Sequence, residues 1–304
     1  MKTYFLLFIF LFSLYSFARE DEIVLLHITD LHIDFIGLMY PNSKAFVSKL
    51  GEIINKVHAS LVIISGDIVE FGEGIFAEHN YLLLKSMFFK SNDVFYVDDK
   101  FKVPVYFIPG NHEYHTIFKI TCNDIPNYRH FVGNEFYSFI HENTLFCMLN
   151  TGYDYYWKPF EYGSILPDPE GSGLGREQLK FLESTLSSGS NLVKVVVTHH
   201  PPINYERGIE DGIFLGNKEF LELCYSYGVN LFISGHTHKD KIYILDDAGI
   251  KLLKLSEPSN LYYHSLKGIF IQTPSFGWDG SYRVIKLGSN YVKIYPVEKI
   301  NLDN

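Results

Sequence analysis

Five short clusters in this chain combine carboxylate, amide and imidazole groups: Asp30-x-His32, Gly66-Asp67, Gly110-Asn111-His112-Glu113, His199, and Gly235-His236-x-His238. Oxygen and imidazole donors of this kind are hard-to-intermediate ligands, suited to Zn, Mn or Fe. Each cluster alone has an ordinary explanation. Gly-Asp makes turns, Asn caps helices, and a His pair can be surface polarity. Their shared context is what packing does not explain, because every one follows a short apolar run.

Those runs define the elements that must position the clusters. Val24-Leu25-Leu26 reads as a strand buried on both faces, and its continuation into Asp30 and His32 would send both side chains to one side of the backbone. Ser43 to His58 carries apolar residues at helical spacing, and Leu61 to Ile64 is a second buried strand that stops at Gly66-Asp67. A strand, a helix and a strand imply a right-handed parallel crossover, with Asp67 at the carboxyl end of the sheet, where α/β proteins hold ligands. Residues 74–100 read as a helix and a loop, Val103 to Ile108 as a third strand, and Tyr114 to Gly133 as irregular. Phe136 to Ile140 and Thr144 to Asn150 suggest a hairpin. Residues 153–175, rich in aromatics, Gly and Pro, read as a long surface loop, followed by a helix over Arg176 to Leu186. Leu192 to Val197 and Val229 to Ile233 are further buried strands, separated by a helix over Lys218 to Tyr227. From Lys241 onward the pattern is antiparallel β, in five runs ending at Val297. No repeat or linker divides residues 19–304, which are expected to form one domain.

Composition narrows the function. The 304 residues are 47% hydrophobic, enough for a substantial core, and carry a net charge of −9 without a long basic run. That balance argues against a nucleic-acid polymer as partner. At the N-terminus Lys2 precedes an apolar run from Tyr4 to Phe17, and Ser16 and Ala18 are small residues around a cleavage point. The run is shorter than the 18–20 or so residues of a membrane anchor. Residues 1–18 therefore read as a cleaved signal peptide, and the chain as secreted or periplasmic. Cys122, Cys147 and Cys224 lack the spacing of a Cys-x-x-Cys zinc site, and their odd number leaves at least one thiol unpaired.

In this order and spacing, the five clusters resemble the pattern of the calcineurin-like metallophosphoesterase family: D-x-H, G-D, G-N-H-[D/E], H, G-H-x-H. The match runs from Asp30 to His238. The Gly-Asn-His-Glu form and the His199-His200-Pro201-Pro202 run look most like its cyclic-nucleotide phosphodiesterase-like branch. The resemblance implies an α/β fold, a four-layer α/β/β/α sandwich of two mixed sheets with helices outside. It also implies two divalent or trivalent metal ions, with Fe, Zn or Mn foremost. One ion would take Asp30, His32 and His238, the other Asn111, His199 and His236, with Asp67 bridging. His112 would approach the substrate. Two such ions clamp both oxygens of an in-line displacement and turn bound water into hydroxide near neutral pH. The implied activity is hydrolysis of a small phosphorylated substrate, diesters ahead of monoesters.

Some readings stay open at this stage. His199 is preferred over its neighbour His200, which is left to support it. Asp34 and Glu113 could orient ligand imidazoles or cap backbone turns, and Glu70 has no assigned role. The segment Thr273 to Trp278 could return to the site or simply turn between strands. The aromatic stretch 153–162 could contact a membrane surface, which would suit a lipid or cell-wall phosphoester. A non-catalytic scaffold on the same fold is the remaining alternative.

Overall fold

A computed structural model describes residues 22–302 apart from 93, 98–101, 118–121, 153–156, 159–167, 170–171 and 204–211. In chain order the principal elements begin with β1 (Ile23–Ile28), α1 (Ser43–Ser48), α2 (Leu50–Val57), β2 (Leu61–Ser65), α3 (Ala77–Met87), β3 (Phe89–Ser91), β4 (Val94–Tyr96) and β5 (Pro104–Ile108). There follow α4 (Pro126–Phe131), β6 (Tyr137–His141), β7 (Thr144–Met148), α5 (Arg176–Ser188), β8 (Val193–Val197), α6 (Asn217–Ser226) and β9 (Leu231–Ser234). The last are β10 (Lys241–Asp246), β11 (Gly249–Leu253), β12 (Ser259–Tyr262), β13 (Gly268–Gln272), α7 (Phe276–Asp279), β14 (Ser281–Leu287) and β15 (Tyr291–Ile294).

The strands form two mixed sheets. The first runs β12-β15-β14-β1-β2-β5-β4-β3, and the second β11-β10-β13-β9-β8-β7-β6. At the centre of the first, β1, β2 and β5 are parallel; at the centre of the second, β7, β8, β9 and β13 are parallel. Parallel centres need both faces covered, and the sequence of these strands meets that need with near-continuous apolar runs. Leu25, Leu61 and Ile63 of the first sheet meet Phe146, Val195, Val197, Leu231 and Ile233 of the second in one buried layer. The outer face of the first sheet packs on helices α1 to α4 through Phe46, Leu50, Ile54, Tyr81 and Tyr128. The outer face of the second packs on α5 and α6 through Leu182, Leu186, Phe220 and Cys224, and Cys147 lies in the same layer. This is the four-layer α/β/β/α sandwich that the motif pattern implied.

Several local expectations change. The single helix over 43–58 is two helices meeting at Lys49, which closes one and opens the next. The loop expected before the third strand contains the β3–β4 hairpin, which lengthens the first sheet at its edge. The irregular stretch 114–133 holds α4, opened by Pro126, a residue preorganised for a first helical turn. The C-terminal region is not purely antiparallel: β13 lies parallel to β9 and antiparallel to β10, so it closes the parallel centre of the second sheet. Its sequence GIFIQ is buried throughout, as that central position requires.

Candidate active site

The predicted donors gather at the carboxyl ends of the parallel strands of both sheets. β1 stops at Ile28, before the Asp-x-His pair, so Asp30 and His32 are not delivered by strand alternation. Both sit in left-handed backbone, with φ of 54° and 49°. Asp67, His236 and His238 share that conformation, with φ of 48°, 65° and 53°. For residues other than glycine this costs about 1–3 kcal/mol each and persists only where surrounding contacts enforce it. Those contacts are present. Asp30, His32 and Ile33 donate backbone N–H bonds to the carbonyls of Gly66, Asp67 and Ile68, lacing the two loops together. The buried Glu113 carboxylate accepts the N–H groups of Asp67, Ile68 and Val69 at 3.0, 2.8 and 3.0 Å. The loops approach so closely that a Cβ on Gly66 would lie 2.4 Å from His199 Nδ1, and one on Gly235 1.9 Å from Thr29 Oγ1.

Two groups of donors result. His238 Nε2 lies 3.2 Å from Asp30 Oδ1 and 3.4 Å from His32 Nε2, and His32 Nε2 is 3.9 Å from Asp30 Oδ1. In the other group His199 Nε2 lies 3.1 Å from Asn111 Oδ1 and 3.2 Å from Asp67 Oδ2. The His236 ring sits beside His199, with centroids 5.1 Å apart. Asp67 Oδ2 faces both groups, being also 3.9 Å from His32 Nε2. Its other oxygen is engaged by the His112 N–H at 2.9 Å, so a single oxygen is turned to both sides. A cation with bonds of about 2.0–2.2 Å spaces adjacent ligand atoms by about 3–3.6 Å. The shortest separations in both groups fall in that range.

The imidazoles are oriented for lone-pair donation. His199 Nδ1 is 2.7 Å from the Ser65 carbonyl, His32 Nδ1 is 2.8 Å from Glu70 Oε2, and His112 Nδ1 is 2.9 Å from the Glu70 carbonyl. An acceptor at Nδ1 fixes a proton there and, at His199 and His32, leaves Nε2 free toward the site, the usual support of a metal-bound imidazole. Charge tells the same story. Burial pushes the Asp30 and Asp67 carboxyls up, yet His238 and His199 more than offset it and hold both below the ordinary range. Burial likewise opposes protonation of His112 and His199, but the Asp67 carboxylate prevails and raises them to about 10 and about 9. Farther from the carboxylates, burial and the neighbouring His199 push His236 down to about 3. The field of the polypeptide therefore draws positive charge to the space between Asp30 and Asp67, and metal cations suit it chemically.

All eight residues singled out from the sequence, Asp30, His32, Asp67, Asn111, His112, His199, His236 and His238, are thus in one place. His200 is buried beside them, its ring 4.0 Å from that of His236 and its Nδ1 3.3 Å from Thr151 Oγ1. The open alternatives resolve. Asp34 caps a turn, accepting the N–H groups of Ile36 and Leu38, and Glu113 serves backbone as described. Thr273 to Trp278 does return to the site: Ser275 Oγ and the Gly277 N–H both bond the Asp30 carbonyl, and Phe276 N–H bonds Thr29. Glu70, which has no role assigned from the sequence, stands among the donors. It bonds His32 and stands 3.2 Å from His112 Nδ1. Its only sequence signal is an acid three residues after Gly-Asp. The aromatic stretch 153–162 lies almost entirely outside the described residues.

Comparison with known proteins agrees with this geometry. The family model described as calcineurin-like phosphoesterase matches residues 23–240. A protein of Xenorhabdus bovienii named a probable cyclic nucleotide phosphodiesterase is 25% identical over 226 residues, covering 71% of this chain and 79% of that one. A probable glycerophosphodiester phosphodiesterase of Arcobacter nitrofigilis is 28% identical over 226 residues, covering 71% and 72%. Among solved structures, a dimetal phosphatase from Danio rerio superposes with a TM-score of 0.60 at 14% identity, over 90% of this chain and 98% of that one, which speaks to the fold. The extent of the family match, over the same strands and loops that assemble the donors, makes this chain a member of the calcineurin-like phosphoesterase family and a metal-dependent phosphoester hydrolase.

Proposed function

We propose that this chain hydrolyses a small phosphoester, diesters ahead of monoesters, with two metal ions of the Fe, Zn or Mn type. The observation that carries the two-ion reading is the position of Asp67 Oδ2, 3.2 Å from His199 Nε2 and 3.9 Å from His32 Nε2, between two donor groups. Asp30, His32 and His238 would hold one ion, and Asn111, His199 and His236 the other, with Asp67 shared. Bound there, the ions would supply Lewis acidity toward phosphoryl oxygens and activation of water. The His112 side chain is 20% exposed and belongs to neither donor group, with Nε2 4.0 Å from Asp67 Oδ2. A protonated imidazole at this position can steady phosphoryl charge or give a proton to a leaving oxygen. Glu70 sets the ring orientation of His112 and His32 together. The preference for diesters rests on the names of the two relatives, both phosphodiesterases.

The test is to strip the protein with chelator, reload it with each metal, and assay bis-p-nitrophenyl phosphate beside p-nitrophenyl phosphate. The reading expects metal-restored turnover, faster on the diester. Absence of turnover with every metal, in protein shown to hold metal, would contradict it. We also propose export of the chain with cleavage after Ala18, on the strength of the Tyr4–Phe17 run, and a single folding unit from residue 19 onward. N-terminal sequencing of the protein recovered from its native compartment would read Arg19 first, and a Met1 terminus would refute the cleavage.

A further inference from the structure

We infer that the substrate carries an apolar group, and that a rigid apolar rim beside the metal site receives it. This rests on the hydrolase reading above and names the chemistry of its substrate. The rim is the turn after His32, with Phe35, Ile36, Leu38 and Met39, together with Tyr40 and Trp278. Leu38 is 72% exposed, Trp278 66%, Met39 55% and Phe35 51%, a concentration of large apolar side chains in water that a soluble surface does not carry without cause.

Three features make this a binding surface of the site. The first is construction. Asp34 and Asn80 are buried polar side chains, and both are used to hold the turn: Asp34 accepts the Ile36 and Leu38 N–H groups, each at 2.9 Å, and Asn80 Oδ1 accepts the Phe35 N–H at 2.8 Å. The apolar side chains are therefore held outward by a fixed backbone. The second is continuity with the donors. Tyr40 lies flat on the His32 ring, with centroids 4.0 Å apart and planes within 2°, and Trp278 meets Tyr40 edge-on at 5.7 Å. A file of rings thus leads from a proposed metal ligand to the exposed indole. The third is anchoring of the far side. The Gly277 N–H bonds the Asp30 carbonyl at 2.9 Å, and a Cβ on Gly277 would come within 2.1 Å of the Leu31 carbonyl, so Trp278 is fixed against the ligand loop. A preorganised apolar shelf lets an alkyl or aryl ester group leave water while its phosphoryl group reaches the donors, at little ordering cost to the protein.

The experiment uses a series of alkyl p-nitrophenyl phosphates, methyl to hexyl, with the full metal-loaded chain. All share one leaving group, so differences report the alkyl group. The expected result is a KM about tenfold lower for hexyl than for methyl, with kcat nearly level. In the triple variant Leu38→Asn, Met39→Asn, Trp278→Ala the hexyl-to-methyl ratio should shrink to within about twofold, and Leu38→Met with Met39→Leu should retain it. These side chains are exposed, and a thermal melt confirms that the variants fold. A KM indifferent to chain length in the wild type, or a preference unchanged in the triple variant, would overturn the inference. So would a flat KM combined with binding to phosphatidylglycerol vesicles, or self-association, that the triple variant abolishes; the rim would then be a membrane or subunit surface. Calorimetry with hexylphosphonate and methylphosphonate separates this claim from the hydrolase reading. If no ester turned over but hexylphosphonate still bound about tenfold tighter through the same residues, the rim would stand and the hydrolase reading would fall. Equal binding of the two phosphonates would sink the rim.

Discussion

The two sheets meet at the site with unequal chemistry. The first supplies all the oxygen donors, Asp30, Asp67 and Asn111, with His32 and His112. The second supplies imidazoles alone, His199, His236 and His238. Neither sheet holds a complete set. His238 reaches across to Asp30, and His199 to Asp67 and Asn111. The layer between the sheets is largely apolar, Leu25, Leu61 and Ile63 against Val195, Val197 and Leu231. Hydrophobic contact is not directional and would tolerate a small slip of one sheet on the other. The site would not, because cation–ligand bonds are. On this account metal binding is a cross-link between the sheets as well as a catalytic device.

The largest effect should come from the one residue that faces both donor groups. Asp67→Asn should lower phosphodiester turnover by at least about a thousandfold, read by kcat with saturating metal. Next, removing one donor from each sheet should have matching consequences if both sheets are needed equally. His32→Ala and His238→Ala should each lower activity by about a hundredfold or more and weaken the same ion. Loss of metal in only one of the two would break the symmetry of the cross-link. Glu70→Gln should cost about 10–100-fold in metal affinity or activity, since it acts through the rings of His32 and His112. Chelation should then lower the unfolding free energy by about 3–4 kcal/mol for each ion lost, about 7 kcal/mol for two, relative to protein in metal at several hundred times its Kd, measured by urea denaturation. The smallest effect on activity belongs to His27. It is as buried as His32, but inside β1, with its two ring nitrogens 2.7 Å from Thr273 Oγ1 and 2.8 Å from Ser65 Oγ. His27→Ala should cost about 1–3 kcal/mol of stability, by urea denaturation, with metal content unchanged.

That contrast between His27 and His32 also shows what a sequence can carry. The strands were legible because parallel strands buried on both faces read as unbroken apolar runs. The donor loops were legible because Asp, Asn and His recur where those runs stop. The way the loops turn was not. Asp30 and His32 look like strand alternation, and only the backbone shows two left-handed turns held by bonds to Gly66 and Asp67. Glu70 was invisible because its partner His32 is 38 positions away. Short strands such as β3 and β4 escaped because they are set by pairing with each other and, for β4, with β5, more than by their own pattern. The rim escaped as well. Residue type alone does not give the exposure of Phe35 to Met39, which is a property of where Asp34 and Asn80 pin the turn.

The most direct test of the cross-sheet metal pair is stoichiometry. Elemental analysis of the folded, metal-loaded chain and of Asp67→Asn, after removal of loose metal, counts the ions that the donors retain. About two per chain are expected in the wild type and at most one in the variant. Two ions retained in Asp67→Asn, or none retained by the folded wild type, would contradict it.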